Sequence, residues 1–499
     1  MSMIKIENLT FAYPTSGDYV FENLHLQVDT DWKLGVIGRN GRGKTTLFRL
    51  LQGLESYTGT IVHSVSFDYF PMNVPVPQQS TEEVLQQLCP MRETWEFICE
   101  FSQLDLSTDI LARPFQTLSG GEQTKVLLAA LFLGEGNFLL IDEPTNHLDA
   151  HGRSCVAAYL KRKKGFMLIS HDRHFLDACV DHILALNKET IECQSGNFSS
   201  WFVNFNHQQE QELERNQQLK KEVLRLQQSM RQSANWSHQK EATKIGPVDK
   251  GFVGHKAAKL MKRSKSIEAR RKKAIDEKAA LLKNIEKHEP LKLVSLPYSA
   301  GPLLSLSDVS LFYDHRRLCF PVSFSLSEGE RLFIEGKNGS GKSSLLRCIL
   351  DSSVSYTGTI KRSSHLIISY VPQTTDHLNG TLRAFIQEHQ LDETQFKTIL
   401  RKLGFARQQF EKKIENYSSG QKKKILIAKS LCEKAHLYIW DEPLNFIDLY
   451  ARIQIEQLIQ EVKPTMIVVE HDQAFKQTLA TRVLTLETNA SLFNTDPSC

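Results

Sequence analysis

Long hydrophobic runs and paired cysteines are missing from this sequence, and we expect no leader segment. No stretch approaches about 18 consecutive apolar residues, the length that a membrane-spanning helix needs, so we expect no membrane segment. Residues 1–10 lack the charged and then apolar pattern of a signal peptide. The nine cysteines are scattered without a C-x-x-C pair, which argues against a disulfide framework and a zinc site. A cytoplasmic protein in a reducing compartment fits these absences best.

One segment combines few acidic residues with many basic ones. The net charge of the 499 residues is +4, but 231–273 holds 13 Lys or Arg against 3 Asp or Glu, a net charge of +10. The rest of the chain is therefore acidic on balance. The length allows about three domains, and 41% hydrophobic residues suffice for packed cores.

Two phosphate-binding loops of the pattern G-x-x-x-x-G-K-[ST] lie at 38–45 and 336–343. Each follows an apolar run and precedes a helical pattern, which is the expected context. In such loops backbone N–H groups surround the phosphates, the lysine reaches the outer phosphates and the hydroxyl binds Mg²⁺. The predicted nucleotide-binding residues are Gly38, Asn40, Gly41, Gly43, Lys44, Thr45 and Thr46, and Gly336, Asn338, Gly339, Gly341, Lys342, Ser343 and Ser344. Two loops predict two bound ATP molecules with Mg²⁺.

The loops belong to an internal repeat. Residues 56–61 recur letter for letter at 355–360, and 138–144 is answered by 437–443. Because the offset stays close to three hundred, the repeat is a tandem of one large domain. Each copy alternates short apolar runs with helical patterns, which predicts an α/β fold. The expected domains are 1–204 and 291–499, with a linker at 205–290.

The linker predicts a helical hairpin. Pro and Gly are absent from 206–239, and a second helical pattern covers 255–287. Apolar stripes follow both patterns: Leu219, Val223, Leu226 and Met230 in the first, and Leu260, Ile267, Ala274 and Leu281 in the second. Gly and Pro in 245–254 break the helix, so two long antiparallel helices would carry a tip about 45 Å away. A flexible charged linker is the alternative, but it gives the stripes no purpose.

A signature motif accompanies each phosphate loop. Residues 118–123 read Leu-Ser-Gly-Gly-Glu-Gln, and 417–421 read Tyr-Ser-Ser-Gly-Gln. With the phosphate loop, the first signature makes this half resemble an ABC-type ATPase domain. In that family the signature caps the γ-phosphate bound on the opposite domain, which suits a serine and backbone N–H groups at a helix N-terminus. The resemblance adds Ser119, Gly120, Gly121, Ser418 and Gly420 to the nucleotide-binding residues.

Carboxylates and histidines end the later apolar strands. Asp142 and Asp441 are predicted near Mg²⁺, and the full set of predicted metal ligands is Thr45, Asp142, Ser343, Gln373 and Asp441. Glu143 and Glu442 follow directly and could polarise the attacking water, which is the catalytic role that the family resembled gives them.

Two further residue types complete the predicted nucleotide sites. His171 and His471 resemble the switch histidines that contact the γ-phosphate; a structural histidine is the alternative. Tyr13 and Tyr313 are candidates for stacking on adenine, in competition with Phe11 and Phe312.

The two copies differ at two positions of these motifs. Ser419 replaces a signature glycine, and Met72 stands where the second copy has Gln373. If the first phosphate loop faces the second signature, both departures fall in the site around Lys44. A thioether is a poor ligand for Mg²⁺, although a water could replace the glutamine without consequence. We therefore expect the site around Lys342 to be the more active.

The whole chain resembles the ABC-F family, and within it the antibiotic-resistance proteins of the Lsa and Vga type. The resemblance is carried by two ABC-type domains, the long helical linker, and the stretches 38–45, 142–149, 261–265 and 438–445. It implies a monomer that closes its own ATPase sandwich and binds the tRNA exit site of the bacterial 70S ribosome in the ATP-bound state. It also implies that the linker reaches toward the peptidyl-transferase centre and that lincosamides, streptogramin A compounds or pleuromutilins are dislodged.

The basic linker predicts an RNA partner independently. Phosphate contacts supply affinity without sequence information, and a rigid hairpin can enter a folded RNA cavity, so RNA is favoured over DNA. The family resemblance implies 23S rRNA and P-site tRNA as the partners. The predicted RNA-contacting residues are Val248, Lys250, Phe252, Lys262, Arg263 and Lys265. A solvated basic face is the alternative, and Phe252 could equally pack against its neighbours.

Three other functions stay open. A housekeeping ABC-F translation factor would share every ATPase motif, but the tail after Leu486 carries no Lys or Arg, which favours the resistance type. A transporter subunit would have no use for a basic hairpin. A DNA-associated ATPase usually has zinc-binding cysteines or longer coiled coils.

Overall fold

Two α/β substructures with similar topology make up most of the described chain, one for each copy of the internal repeat. The computed structural model describes residues 2–14, 18–134, 137–146, 148–187, 191–242, 291–298, 301–313, 316–318, 320–351 and 354–486. They fall into two units, one formed by 1–199 with 288–499 and the other by 200–287. The first unit contains both copies of the repeat. The α/β fold class predicted from the sequence is confirmed.

The first copy contains one large sheet and one small sheet. Its strands are β1 (Met3–Ala12), β2 (Tyr19–Asp29), β3 (Lys33–Gly38), β4 (Thr58–Val62), β5 (Phe67–Phe70), β6 (Phe138–Asp142), β7 (Phe166–Ile169), β8 (His182–Leu186) and β9 (Ile191–Ser195). Its helices are α1 (Lys44–Leu51), α2 (Thr81–Leu88), α3 (Thr94–Gln103), α4 (Gly120–Leu133), α5 (Ala150–Arg162) and α6 (Arg173–Cys179). The large sheet has the order β5-β6-β7-β3-β8-β9 and is parallel except for β9. The small sheet, β2-β1-β4, is antiparallel.

Helix α7 (Phe198–Ala242) is 45 residues long and forms the described part of the second unit. At about 1.5 Å per residue such a helix is about 68 Å long. Leu219, Val223 and Leu226 of the predicted stripe are half-buried, whereas Leu224, which lies off the stripe, is 56% exposed. The predicted second helix and the tip at 245–254 lie outside the described residues, so the hairpin and the linker boundaries stay predictions.

The second copy repeats the design. Its strands are β10 (Leu304–Tyr313), β11 (Arg316–Arg317), β12 (Val322–Leu326), β13 (Arg331–Glu335), β14 (Tyr356–Arg362), β15 (Ile368–Val371), β16 (Leu437–Asp441), β17 (Met466–Val469) and β18 (Arg482–Thr485). Its helices are α8 (Lys342–Leu350), α9 (Leu382–Glu388), α10 (Glu393–Lys402), α11 (Ser419–Cys432), α12 (Leu449–Val462) and α13 (Gln473–Leu479). The large sheet, β15-β16-β17-β13-β18, is parallel throughout.

The central strands of both large sheets are nearly continuous apolar runs because their faces are covered. One face packs against the small sheet and the phosphate-loop helix, and in the second copy the other face packs against helices. In β16 every residue is buried, including Trp440, whose indole N–H donates to the Ser430 hydroxyl at 2.9 Å. In both sheets the strand that precedes the phosphate loop, β3 or β13, lies beside β7 or β17, which in turn pairs with β6 or β16. Since the carboxyl ends of parallel strands share one edge, this order brings the phosphate loop, the histidine and the Asp-Glu pair together.

The structure explains the glycine that the repeated segments 56–61 and 355–360 share. Gly59 and Gly358 lie against bends in β1 and β10, where Asn8 and Asp308 have φ of 52° and 49°. A Cβ at either glycine would lie 2.4 Å from the carbonyl oxygen of Asn8 or Asp308. Only glycine allows the two strands to approach this closely.

No helix within the described part of the chain is both long and apolar enough to cross a membrane.

We predict that Gly358→Ala destabilises the second copy more than Gly301→Ala. Both glycines have left-handed backbones, with φ of 96° and 101°, but nothing lies within 4 Å of a Cβ at Gly301. Gly301→Ala, the control, should therefore lower the free energy of unfolding only by the cost of a left-handed alanine, roughly 1–2 kcal/mol. Gly358→Ala should lower it by about a further 1–3 kcal/mol, because the new Cβ overlaps the neighbouring strand. Thermal unfolding of the two purified variants measures the difference. Equal losses in Tm would show that the strand contact contributes nothing.

Candidate nucleotide-binding sites

Both phosphate loops close around their lysine. The Nζ of Lys44 donates to the carbonyl of Gly38 at 2.8 Å, and that of Lys342 donates to the carbonyl of Gly336 at the same distance. Burial lowers the pKa of both lysines. Gly43 adopts φ 86° as the residue before α1, which turns the loop directly into the helix. The helix N-terminus and a buried cation thus face the same point, which favours an anion such as phosphate.

The predicted hydroxyl and carboxylate ligands for Mg²⁺ meet at the start of each phosphate-loop helix. The Thr45 hydroxyl donates to Oδ2 of Asp142 at 2.8 Å, and Tyr69 donates to the same oxygen at 3.2 Å. In the second half Asp441 accepts a hydrogen bond from Ser343, while its buried Oδ1 has no hydrogen-bond partner among the described residues. Hydroxyl and carboxylate oxygens are the ligands that Mg²⁺ prefers, so these residues fit that ion.

The two glutamates after the strands share a strained backbone. Glu143 and Glu442 have φ of 50° and 46°, a region that costs a non-glycine residue about 1–3 kcal/mol. Each conformation is held by a bond from the glutamate N–H to the last carbonyl of the neighbouring strand, Ile169 or Val469, at 2.9 Å. Burial and the adjacent Asp142 raise the pKa of Glu143 to about 8. A raised pKa makes the ionised carboxylate a stronger base toward the attacking water.

The two histidines lie beside these glutamates. Nε2 of His171 is 3.3 Å from Oε1 of Glu143, and the corresponding distance from His471 to Glu442 is 3.8 Å. Burial lowers the pKa of both histidines, to about 4 for His471 and well below the usual value for His171. Both imidazoles are therefore neutral at physiological pH, and each has one N–H to donate.

Each phosphate loop shares a cavity with the signature of the other half. The cavity around Lys44, of about 410 Å³, is lined by Ser418, Ser419 and Gly420. The cavity around Lys342, of about 820 Å³, is lined by Gly120 of the first signature. Many of the predicted site residues line these cavities. Those in the smaller cavity are Asn40, Gly41, Gly43, Thr45, Thr46, Asp142, Glu143 and His171. Those in the larger cavity are Asn338, Gly339, Gly341, Ser343, Ser344, Gln373, Glu442 and His471.

Gly420 lies where the second signature meets the first phosphate loop. A Cβ at this position would lie 2.3 Å from the carbonyl of Phe446 and 3.0 Å from Nδ2 of Asn40 in the opposite phosphate loop. The same Asn40 amide donates to the Phe446 carbonyl at 3.0 Å. Ser419, the residue that departs from the signature pattern, lines both cavities.

Other predicted residues occupy neighbouring positions. Ser119 and Gly121 line an adjacent cavity of about 440 Å³ that also reaches Asn338. The Ser119 hydroxyl accepts from the Glu122 N–H at 3.3 Å and caps α4, which leaves its proton available to a ligand. The Tyr13 hydroxyl lies 2.9 Å from that of Thr46, so this ring borders the phosphate-loop helix. The side chain of Tyr313 and the tip residues Val248, Lys250, Phe252, Lys262, Arg263 and Lys265 lie outside the described residues.

Sequence reasoning missed a pair of buried arginines. Arg153 lines the cavity around Lys342 and bonds Asp172 at 2.9 Å, next to His171. Its counterpart, Arg452, bonds Asp472 at 3.0 Å, and its charge lowers the pKa of Glu143 against the larger effect of burial. Each arginine thus acts on the site of the opposite half. The internal repeat offered a signal, because the two arginines and their aspartates recur at the common offset.

The repeat also matches a known protein family. The ABC transporter family matches residues 21–146 and 319–445, which together exceed half of the chain. The chain belongs to this family. Its two copies are ABC ATPase domains, and the chain is an ATP hydrolase.

Curated relatives match the ABC ATPase chain over most of its length. The ribosome protection protein VmlR of Bacillus subtilis (strain 168) is 28% identical over 98% of this chain and 88% of its own. The putative ATP-binding protein YdiF of the same organism is 26% identical over 98% of this chain and 80% of its own. The energy-dependent translational throttle protein EttA of Haemophilus influenzae is 24% identical over 93% of this chain and 89% of its own length. These relatives support the ABC-F family.

Solved structures show the same tandem fold. The archaeal ribosome recycling factor aABCE1, solved with the ribosomal stalk protein aP1, superposes with a TM-score of 0.66 at 19% identity. The match covers 97% of this chain and 88% of the other. The likeness at this identity concerns the fold alone.

The two ATP sites of this ABC ATPase differ in the residue expected to reach Mg²⁺. Gln373 lines the cavity around Lys342, whereas Met72 is not among the described residues that line the cavity around Lys44. If Gln373 binds Mg²⁺ as predicted, the first site would offer one oxygen ligand fewer.

We predict that Glu442→Gln lowers ATPase activity more than Glu143→Gln. Removing a catalytic carboxylate slows its own site by about 10²–10⁴-fold, so the remaining rate reports the other site. Steady-state phosphate release from purified protein measures both variants. Met72→Gln is the reciprocal variant and should raise the rate of the Glu442→Gln protein. Equal losses in the single variants would remove the basis for unequal sites.

Proposed function

We propose that this chain is a ribosome-protection ABC-F ATPase. In the ATP-bound state it binds the tRNA exit site of the bacterial 70S ribosome and dislodges lincosamide, streptogramin A or pleuromutilin antibiotics from the peptidyl-transferase centre. Hydrolysis then permits release. The similarity to VmlR, a ribosome protection protein, over 98% of this chain is the observation that carries the proposal.

The composite ATP sites support a binding cycle that ATP controls. Each nucleotide would contact the phosphate loop of one half and the signature of the other, so ATP favours the closed arrangement of both halves. Cleavage of the γ-phosphate removes the group that joins Lys44 to Ser418 and Lys342 to Gly120. A surface that forms only in the closed state would then bind the ribosome only while ATP is intact.

The basic linker supports rRNA as the binding partner. Its 231–273 segment carries a net charge of +10, which favours a polyanion and gives an affinity that falls with salt. We propose that this segment contacts 23S rRNA and P-site tRNA in the cytoplasm.

A housekeeping translation factor is the second candidate. The similarity to EttA, a translational throttle protein, covers 93% of this chain and supports it. Drug susceptibility of a sensitive host with and without the expressed protein separates the two functions, because only a protection protein raises the inhibitory concentration.

We predict that the double variant Glu143→Gln, Glu442→Gln sediments with 70S ribosomes in ATP and arrests growth. Loss of both carboxylates prevents hydrolysis, so ATP stays bound and the closed state persists. Sucrose-cushion sedimentation with ATP and with ADP measures the binding. Adding Lys44→Ala and Lys342→Ala to the double variant is the matched control, since it removes nucleotide binding and should abolish co-sedimentation. Binding no tighter than that of the wild type contradicts the proposed cycle.

We predict that deletion of 246–254 abolishes drug protection but leaves ATPase activity intact. On the geometric expectation of about 45 Å, the tip is too far from either phosphate loop to affect hydrolysis. Gly246, Gly251 and Gly254 permit close backbone approach to RNA, and Phe252 offers a ring for stacking. Inhibitory concentrations of lincosamides and pleuromutilins, measured beside ATPase rates, test this separation.

The control for the tip deletion is the triple variant Lys262→Ala, Arg263→Ala, Lys265→Ala. It should weaken ribosome binding and reduce its salt dependence, because about three phosphate contacts are lost. The tip deletion should retain most of that binding. Wild-type protection by the tip-deleted protein would place drug release elsewhere in the chain, and Phe252→Ala then asks whether the ring itself matters.

A further inference from the structure

Lys423 is a buried lysine that the ATPase motifs do not account for. It lies on α11, one turn after the signature, and is 1% exposed. Its Nζ donates to three carbonyl oxygens: Pro372 at 2.8 Å, Gln373 at 3.2 Å and Asp441 at 3.1 Å. The ammonium group therefore joins two segments that carry predicted Mg²⁺ ligands. One is the loop that contains Gln373, and the other is the end of β16, which contains Asp441.

The first half has a different arrangement at the same place. The residue that corresponds to Lys423 is Thr124, whose hydroxyl donates to the Gly120 carbonyl of its own helix at 2.9 Å. The first half also has Ser170 where the second has Glu470, a carboxylate that is 5% exposed. The second half thus carries one additional buried ammonium and one additional buried carboxylate in the same region.

A buried ammonium persists only if its lost hydration is replaced. The three N–H groups of Lys423 are matched by three carbonyls, which fills its donor capacity. Burial lowers the pKa of Lys423 to about 8, and the carboxylates of Asp441, Glu470 and Glu442 act in the opposite direction. Truncating the side chain would leave three carbonyls without this donor and would free the loop from the strand.

The position of Lys423 on α11 also matters. Gly420 at the start of α11 lines the cavity around Lys44, Ser419 lines both cavities, and Lys423 lines the cavity around Lys342. One helix therefore borders both nucleotide sites. A side chain of its second turn holds the Gln373 loop of the Lys342 site.

We propose that Lys423 is a positioning residue for the Lys342 site, which fixes the Gln373 loop against the end of β16 so that Gln373 and Asp441 address the same Mg²⁺. The first site has no equivalent tie in the described part of the chain, because Thr124 bonds its own helix. The proposal rests on ATP hydrolysis and not on ribosome binding, so its assays use full-length protein without ribosomes.

The first experiment measures turnover. Lys423→Thr, which installs the residue of the first half, should lower kcat by about tenfold with little change in KM for ATP, because about 1.4 kcal/mol of positioning is lost. Thr124→Val is the matched control and should leave kcat unchanged. In a Gln373→Ala background, Lys423→Thr should have little further effect, since the residue acts through the loop. Additive losses in the double variant would overturn the proposal.

The second experiment does not depend on activity. Hydrogen exchange of nucleotide-free protein should be faster over 371–376 in Lys423→Thr than in wild type or Thr124→Val, and unchanged over 67–72 of the first half. If Lys423→Thr does not fold, Lys423→Gln, which keeps a side-chain donor, carries both experiments with smaller effects in the same direction. Unchanged exchange over 371–376 in a folded variant would show that Lys423 does not hold the loop.

Discussion

Each phosphate loop in this chain shares its cavity with residues of the opposite half. The electrostatics and packing of both candidate sites depend on this sharing of residues between the halves. The signature of the second copy lies against the first phosphate loop, where a Cβ at Gly420 would lie 3.0 Å from Nδ2 of Asn40. Contacts farther from the nucleotides support the approach, among them the ion pair of Arg173 with Glu456 and the bond from Tyr450 to Asn187 at 3.3 Å. Arg153 and Arg452 then act on a glutamate–histidine pair that their own half does not contain.

The sites contain polar groups that the protein alone leaves unsatisfied. Oε1 of Glu143, Oδ1 of Asp441 and Nε2 of His471 are buried without a hydrogen-bond partner among the described residues. Such groups cost about 1–3 kcal/mol each, and the left-handed backbone of both glutamates adds strain. Phosphate oxygens of a nucleotide, a metal ion and an attacking water can together satisfy the glutamate, the aspartate and the histidine. Part of the strain and some of the unsatisfied polar groups thus lie where nucleotide chemistry would relieve them.

The sequence predicted the parts of the site that depend on local pattern. Phosphate loops, signatures and strand-end carboxylates were recognisable because their spacing reflects loop, helix and strand geometry. The pairing of each phosphate loop with the opposite signature came from family resemblance and agrees with the cavity linings. The roles of Arg153, Arg452 and Lys423 were not predicted, because a charged residue on a helix usually faces solvent, and burial is set by tertiary packing. The φ values of Glu143 and Glu442 likewise result from bonds to a neighbouring strand, which no local pattern reveals.

The exchange of residues between the halves has a kinetic consequence. Were the two copies separate polypeptides, no complete site would exist until two molecules met, and the rate would follow the product of their concentrations. Covalent connection makes the encounter intramolecular, so it no longer depends on the concentration of the protein. Turnover then becomes first order in protein, so a cell with few copies of this chain keeps the same activity per molecule as a cell with many.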